Sequence, residues 1–166
     1  MKRLNVVLLS VLLFTGCATQ APEPSSNLSL PTSANAPIQS QDVLFRALGL
    51  VGTPYVWGGN TPDSGFDCSG LITFVYNDVA NMRLPRTTSE MIAMKAPTVK
   101  RNQWQSGDIL FFATGKSRRV SHAGIYVGEG RFVHAPSSGG TVRLDSIENS
   151  YWNKAYLNAK RPLAVN

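Results

Sequence analysis

The sequence predicts an α+β domain in which helices come first and antiparallel strands follow. Two segments with apolar residues at helical spacing start near residues 41 and 68. Short runs rich in β-branched and aromatic residues follow between residues 106 and 163, separated by turns that contain Gly. Helices followed by a block of strands, rather than a regular alternation of the two, are typical of this class.

The helical part contains three predicted segments and one long loop. "DVLFRALGLVG" predicts a helix that ends at Gly52, with one apolar face made of Val43, Leu44, Ala47, Leu48 and Val51. "TPYVWGGNTPDSG" is a loop dense in Pro and Gly. "DCSGLITFVY" predicts a helix capped by Asp67 that runs to about Val79, and "PRTTSEMIAM" predicts a short helix capped by Thr87 or Thr88.

The strand part begins at "SGDILFF", a turn that leads into a strand. "SHAGIYVG" and "RFVHAP" flank "GEG" and predict a hairpin with a Gly-flanked turn. "TVRLDSI" predicts a further strand, and "AYLNAKRPL" predicts a strand that closes the domain.

The N-terminus predicts export and lipid attachment. Residues 1–16 combine a basic start with an apolar run of about 11 residues, which is too short to span a bilayer and is typical of a signal peptide. "LFTGC" resembles a bacterial lipobox, which predicts that Cys17 is lipidated; ordinary cleavage near Ala18 is the alternative. Residues 17–40 carry that cysteine and a tether rich in Ala, Pro and Ser, and residues 41–166 form the domain.

The charge balance predicts a mildly basic protein. The chain has 16 Lys and Arg against 10 Asp and Glu, a formal charge of +6, and removal of the signal peptide lowers it to +4. This bias is compatible with an anionic polymer or a membrane surface. Because no basic stripe is interleaved with aromatic residues, we do not expect a nucleic acid partner.

Cys68 is the first candidate for chemistry. It falls in the first turn of the predicted second helix, where free backbone N–H groups and the helix dipole favour a thiolate. The chain has two cysteines, so lipidation of Cys17 leaves one unpaired thiol in an exported protein. The alternatives are a buried packing residue and a disulfide between Cys17 and Cys68.

The two histidines of the chain lie one on each strand of the predicted hairpin. If Glu129 centres a three-residue turn, residue 122 faces residue 136 and His134 becomes a diagonal neighbour on the same face. His122 as base and His134 as its orienting partner would complete a thiol-based site. The alternatives are half-buried structural histidines or a zinc site, although the spacing 68, 122, 134 lacks a close ligand pair; we expect no metal and no cofactor.

In order along the chain, "GTPYVWGGNTPDSGFDCSGLITFVY", "LPRTTSEM", "WQSGDILFF" and "VSHAGIYVGEGRFVHAP" resemble the NlpC/P60 family of cell-wall peptidases. The resemblance covers about residues 41–163. It implies a papain-like core in which N-terminal helices pack on a small antiparallel sheet. It also implies hydrolysis of peptidoglycan stem peptides, commonly at the bond between D-glutamate and meso-diaminopimelate.

The resemblance also implies roles for individual residues. Cys68 matches the nucleophile, His122 the base, and His134 the residue that orients it. Tyr55 matches a tyrosine that stabilises the oxyanion or binds substrate. Three further matches lie near the substrate groove, with a helix cap, a first-turn hydroxyl and a surface cation as their structural alternatives: Asp67, Ser69 and Arg86.

These observations together predict a lipid-anchored thiol peptidase of the cell envelope whose partner is peptidoglycan. Ala18 after the lipid-bearing cysteine, where an Asp would favour retention in the inner membrane, predicts an outer-membrane anchor facing the periplasm if the source is Gram-negative. A catalytically silent domain that binds cell wall or a partner protein is the first alternative. An acyl-transfer enzyme that uses the same thiol is the second.

Overall fold

The computed structural model describes residues 40–138 and 140–165. The helices are α1 (Ser40–Leu48), α2 (Cys68–Ala80), α3 (Thr88–Ala93) and α4 (Ser150–Ala155). A small hairpin before α2 consists of β1 (Asn60–Thr61) and β2 (Gly65–Phe66). The strands of the main sheet are β3 (Ile109–Phe112), β4 (His122–Gly128), β5 (Arg131–His134), β6 (Arg143–Ser146) and β7 (Tyr156–Lys160). Short 3₁₀ turns occupy Arg101–Gln103 and Pro162–Val165.

The main sheet is antiparallel throughout, with the strand order β6-β5-β4-β3-β7. The α+β prediction is therefore confirmed. The hairpin of β4 and β5 has the predicted register, because Ile125 pairs with Val133 and Tyr126 with Phe132. Glu129 lies in the turn in a left-handed conformation, with φ of 52°. The consequence is that His122 and His134 lie on the same face of the sheet.

Apolar side chains cover both faces of the sheet, and β3 shows how. Its residues alternate between two clusters: Ile109 and Phe111 belong to the one that includes α1 and α2, and Leu110 and Phe112 belong to the one on the opposite face. Because successive side chains of a strand point to opposite faces, an unbroken apolar run such as "ILFF" requires cover on both sides. Trp152 of α4 belongs to the cluster on the opposite face.

The predicted apolar face of α1 was partly right. The helix ends at Leu48, and Val43 and Ala47 are its buried residues. Leu50, just beyond the helix, completes the buried stripe, whereas Leu48 and Val51 are exposed. The triplets 43, 47, 50 and 44, 48, 51 have the same helical spacing, so the pattern alone did not distinguish them.

The sequence analysis missed two short features. The hairpin of β1 and β2 has two residues in each strand and lies inside the long Pro- and Gly-rich loop. Helix α4 has six residues, and the side chain of Asn149 caps it by accepting a hydrogen bond from the Tyr151 N–H at 2.9 Å. Neither segment is long enough to show a periodicity.

A buried ion pair joins the start of β3 to the end of β7. Asp108 is 1% exposed and accepts hydrogen bonds at 2.8 Å from Nε and one terminal nitrogen of Arg161. The same carboxylate also accepts the backbone N–H of Gln105 at 2.8 Å. These bonds satisfy a charge that would be costly to bury alone.

The predicted signal peptide (residues 1–16), Cys17 and the tether up to residue 39 lie outside the described residues. Within the described part of the chain, none of the helices has both the length and the apolar character needed to cross a bilayer.

Candidate active site

Cys68 is the first residue of helix α2, directly after the N-cap Asp67. One carboxylate oxygen of Asp67 accepts the backbone N–H of Gly70 at 2.7 Å, which caps the helix. The other oxygen accepts the backbone N–H of Gly58 at 3.0 Å. Asp67 therefore fastens the loop before the hairpin to the first turn of α2.

Arg86 holds this cap in place. Its guanidinium donates to the two carboxylate oxygens of Asp67 at 2.9 and 2.8 Å, and to the hydroxyl of Ser69 at 2.7 Å. Burial favours the neutral acid, but the hydrogen bonds from Arg86, Gly70 and Gly58 outweigh it and lower the pKa of Asp67. The pairing with Asp67 raises the pKa of Arg86, so both side chains are charged at neutral pH.

A close backbone approach also fixes α2. A Cβ atom on Gly70 would lie 2.0 Å from the carbonyl oxygen of Gly59. Any larger residue at position 70 would separate the loop from the helix. This contact explains the Gly of "DCSG" and keeps the loop that begins at Tyr55 against the first turn of α2.

The thiol of Cys68 lies between α2 and the start of β4. Its sulfur interacts with the backbone N–H groups of Cys68 and Ser69, and with that of Ala123, the residue after His122. Tyr55 is close enough for charge on Cys68 and on Asp67 to affect it; burial first, and then these two charges, raise the pKa of its phenol. The structure thus brings Cys68 together with Tyr55, Asp67 and Ser69, and next to the strand that carries His122.

The expectation of a lowered thiol pKa was wrong for this arrangement. Burial raises the pKa of Cys68, and the negative charge of the adjacent Asp67 raises it further. The three backbone N–H groups lower the pKa but offset only part of this effect. In the free protein Cys68 is therefore a neutral thiol at pH 7, and its proton leaves only when a base accepts it.

The two histidines meet as the hairpin register requires. Nε2 of His122 lies 2.9 Å from Nδ1 of His134, and both rings are buried. Gly124 lies on β4 where the side chain of His134 crosses it, and a Cβ there would lie 3.1 Å from the Cβ of His134. The same Cβ would lie 2.7 Å from the ring of Phe132, so the Gly of "SHAGIY" makes room for the close approach of β5.

Three residues of this network were missed by the sequence analysis. Nε2 of His134 lies 2.9 Å from Oδ2 of Asp145, and the indole N–H of Trp152 donates to the same oxygen at 2.9 Å. Arg143 also donates to this oxygen, at 3.2 Å. The alternation in "VRLDSI" places residues 143 and 145 on one face, but only the pairing of β5 with β6 shows that this face meets His134.

The hydrogen bonds run from His122 to His134 and on to Asp145, and the carboxylate of Asp145 fixes the direction of each one. The pKa of Asp145 is lowered: burial opposes ionisation, but the hydrogen bond to His134 outweighs it, so Asp145 is ionised and only accepts. Nε2 of His134 must then carry a proton, which leaves Nδ1 of a neutral ring as an acceptor. Nε2 of His122 therefore donates, and Nδ1 of His122 carries the free lone pair.

Both imidazoles are neutral at physiological pH. Burial lowers the pKa of His122 to about 3; the electrostatic influence of His134 and Arg143 adds to this effect, and Asp145 opposes it. Burial lowers the pKa of His134 to about 4, although Asp145 opposes it. A neutral His122 with a free Nδ1 is a proton acceptor throughout the range from pH 5 to pH 8.

The four remaining candidate residues surround the thiol rather than the histidines. Asp67 is the predicted helix cap, Ser69 is buried, and Arg86 is not a free surface cation because it is bound to both of them. Their contact with a substrate stays a prediction, as does that of Tyr55. Among the described residues, no group of three or more His, Cys, Asp or Glu side chains has an arrangement suited to a metal ion.

Fold and site together define a class: an α+β domain with a thiol at a helix start and a carboxylate-anchored histidine pair on the facing sheet. Residues 52–161 match the NlpC/P60 family. The chain belongs to this family.

Named relatives and solved structures are similar over most of this domain. The murein DD-endopeptidase MepH of Escherichia coli (strain K12) is 39% identical over 70% of this chain and 43% of its own length. The probable endopeptidase NlpC of the same strain is 33% identical over 96% of this chain and 99% of its own length. The bifunctional muramidase/DL-endopeptidase CwlT of Bacillus subtilis (strain 168) is 35% identical over 68% of this chain and 33% of its own length. The chain thus spans less than half the length of MepH and CwlT.

Among solved structures, the NlpC/p60 domain of the peptidoglycan hydrolase SagA is 30% identical, with a TM-score of 0.64 over 74% of this chain and 98% of that one. RipD of Mycobacterium tuberculosis is described as a non-catalytic NlpC/p60 domain protein adapted to peptidoglycan binding. RipD is 22% identical, with a TM-score of 0.61 over 74% of this chain and 96% of RipD, and it shares the fold. The fold alone therefore does not distinguish a hydrolase from a binding protein.

The protonation state of Cys68 predicts how its reactivity changes with pH. In the chain with Cys17→Ser, the rate of alkylation by iodoacetamide should rise steadily from pH 6 to pH 9, because the raised pKa keeps the thiolate scarce in this range. N-acetylcysteine amide, measured in parallel, gives the behaviour of an unperturbed thiol and should react faster at each pH. A rate that is already constant between pH 6 and 7 would instead show a preformed thiolate.

Asp145 should control the tautomers of both histidines. Asp145→Ala removes the acceptor that requires His134 to donate, and we expect the rate of the thiol-dependent reaction to fall at least about tenfold. Asp145→Asn should retain more activity, because its amide oxygen still accepts from His134 and Trp152. Nitrogen-15 NMR should find His122 protonated at Nε2 in the wild type and in both tautomers in Asp145→Ala. An unchanged tautomer in that variant would contradict the role of Asp145.

Proposed function

We propose that this protein is a cysteine endopeptidase that hydrolyses stem peptides of peptidoglycan. The observation that carries the proposal is the directed chain from Asp145 through His134 to His122, which leaves a basic nitrogen on the strand that faces Cys68. His122 directly precedes Ala123, whose backbone N–H interacts with the Cys68 sulfur. The peptidoglycan endopeptidases among its relatives support the same reaction.

The proposed reaction starts from the neutral thiol. Nδ1 of His122 accepts the proton of Cys68 as the sulfur attacks the amide carbon, and the carbonyl oxygen becomes an oxyanion. The backbone N–H of Cys68 and the phenol of Tyr55 are the nearest candidates to donate to it. His122 then returns the proton to the leaving amine, and the acyl group stays on sulfur. Water, deprotonated by the same imidazole, hydrolyses the thioester and restores the thiol.

Asp145 has a second effect in the proposed reaction. When His122 takes the proton it becomes an imidazolium in a buried site, which burial disfavours. The ionised carboxylate of Asp145 stabilises that transient charge through His134. The low pKa of His122 thus keeps this base unprotonated before the reaction, and the carboxylate of Asp145 reduces the energetic cost of protonating it.

The bond that we propose for cleavage joins D-glutamate to meso-diaminopimelate. The family resemblance supports this assignment, and one relative is described as a DL-endopeptidase. Another relative is described as a DD-endopeptidase, which makes the cross-link between stem peptides the alternative bond. Mass spectrometry of digested muropeptides distinguishes the two, because only cleavage of the cross-link converts dimers into intact monomers.

Purified wild-type protein should convert muropeptides into shorter products that mass spectrometry identifies. Cys68→Ala should lower the rate by at least about 10⁴-fold, because no other group replaces the nucleophile. Its thermal unfolding should match that of the wild type, which excludes misfolding as the cause. Binding of muropeptides without cleavage by the wild type would favour the silent wall-binding alternative, and an acyl group on an acceptor other than water would favour acyl transfer.

We further propose that Cys17 carries lipid and anchors the protein in the outer membrane, facing the periplasm. The support is the lipobox-like "LFTGC" after an apolar run, and Ala18 after the cysteine. Radiolabelled palmitate should be incorporated into the full-length chain expressed in a Gram-negative host and should co-fractionate with outer membranes. Cys17→Ser should abolish both results, and Cys68→Ser, as the matched loss of a thiol, should leave them unchanged.

A further inference from the structure

A cavity of about 550 Å³ lies beside His122 and away from the cap of helix α2. Thr114, Ser138, Arg143 and Asp145 contribute to its wall, and Tyr151 and Trp152 of α4 add aromatic surface. Neither Cys68 nor its neighbours Asp67 and Ser69 line the cavity. The site thus has two sides, one at the start of α2 and one beyond His122.

The chemistry proposed above assigns these two sides to different halves of a substrate. The acyl half becomes bonded to Cys68 and therefore lies near the start of α2. The amine half takes its proton from His122 and therefore departs on the side of that ring. The cavity beyond His122 is on the path of the leaving amine.

Arg143 is the cationic side chain of the cavity wall, where it pairs with Asp145. Arg143 keeps 47% of its side chain exposed, and its ion pair with Asp145 uses only Oδ2 of that carboxylate. A guanidinium that is half exposed at a cavity wall is suited to pair with a carboxylate.

A basic loop adjoins the same wall. The hydroxyl of Ser121 accepts the backbone N–H of Thr114 at 2.9 Å and hydrogen-bonds to its side chain at 2.9 Å, which closes residues 115–120 into a loop. This loop carries the exposed cations Lys116, Arg118 and Arg119. Its base ends next to His122, so the loop adds positive potential near the entrance to the cavity.

We propose that this cavity binds the leaving half of the substrate, and that Arg143 pairs with a carboxylate on the residue that supplies the scissile nitrogen. The inference rests on the proposed peptidase function and adds its specificity. A diamino diacid is the chemical class that fits, because it offers an amine to the reaction and a free carboxylate to Arg143. Thr114 and Ser138 also line the cavity.

This assignment accounts for a feature common to both candidate bonds. The D-glutamyl bond and the D-alanyl cross-link of a diaminopimelate-type wall each join an acyl group to an amine of diaminopimelate. The two bonds differ in the acyl half and share the amine-bearing residue. The bonds use amines at opposite ends of diaminopimelate, so the free carboxylate lies beside the scissile nitrogen in the cross-link and at the far end of the residue in the D-glutamyl bond.

The test compares two substrates that differ only in whether the carboxylate of the diaminopimelate residue is free or amidated. For the wild-type protein we expect kcat/KM to be about tenfold higher with the free carboxylate. In Arg143→Gln this ratio should fall to about one. Arg131→Gln is the matched control, because Arg131 is a half-exposed arginine of the same sheet that does not line the cavity, and it should retain the wild-type ratio.

Arg143 also contacts Asp145, so its replacement can alter the histidines as well as the binding of a carboxylate. The ratio of kcat/KM between the two substrates separates these two effects. Any effect of Arg143→Gln on the histidines changes both substrates equally and cancels in the ratio. A wild-type ratio near one, or a ratio that Arg143→Gln leaves unchanged, would overturn the proposal even if hydrolysis is rapid.

A binding measurement separates this inference from the proposed function. Full-length Cys68→Ala should bind a diaminopimelate-containing peptide with a free amino terminus, and calorimetry should find binding about tenfold weaker after adding Arg143→Gln or after amidation of the peptide. Such binding without hydrolysis by the wild type would refute the peptidase and retain the carboxylate site. Hydrolysis by the wild type without carboxylate-dependent binding would refute the carboxylate site and retain the peptidase.

Discussion

The hydrogen-bond chain that ends at Asp145 is the constraint on which the rest of the site depends. A carboxylate accepts and does not donate, so its position at the end of the chain decides where every proton in the two imidazoles lies. Without it, neutral His122 would be equally able to present an N–H to the thiol, and an N–H removes no proton. Trp152 and Arg143 hold the same oxygen from two other directions and keep the carboxylate in place.

The sheet supplies the hydrogen-bonded residues that end at Asp145, and the helical layer supplies the thiol of Cys68. Helix α2 is fixed at its first turn by Asp67, Arg86 and the contact between Gly59 and Gly70, so the backbone at Cys68 has little freedom. Strand β4 supplies both His122 and the Ala123 N–H that interacts with the sulfur. A change in the separation of the two layers would therefore alter the base and the thiol environment together.

The sequence was sufficient for the class of fold, for the hairpin register and for the meeting of His122 with His134, because strand alternation and a short turn determine these features locally. It did not identify Asp145 or Trp152, whose roles depend on the pairing of β5 with β6 and on a six-residue helix. It also misjudged the thiol. The backbone N–H groups at the helix N-terminus lower the pKa of Cys68, whereas burial and the capping Asp67 raise it. Only the packed structure gives the balance of these effects.

The positions of the network along the chain have a consequence for biosynthesis. Residue 68 leaves the ribosome well before residues 145 and 152 that orient the base. A partly synthesised chain therefore has its thiol but no ordered proton acceptor, because β6 and α4 have not yet joined the sheet. The proton acceptor would then become ordered only after nearly the whole domain has been made, well after the thiol itself.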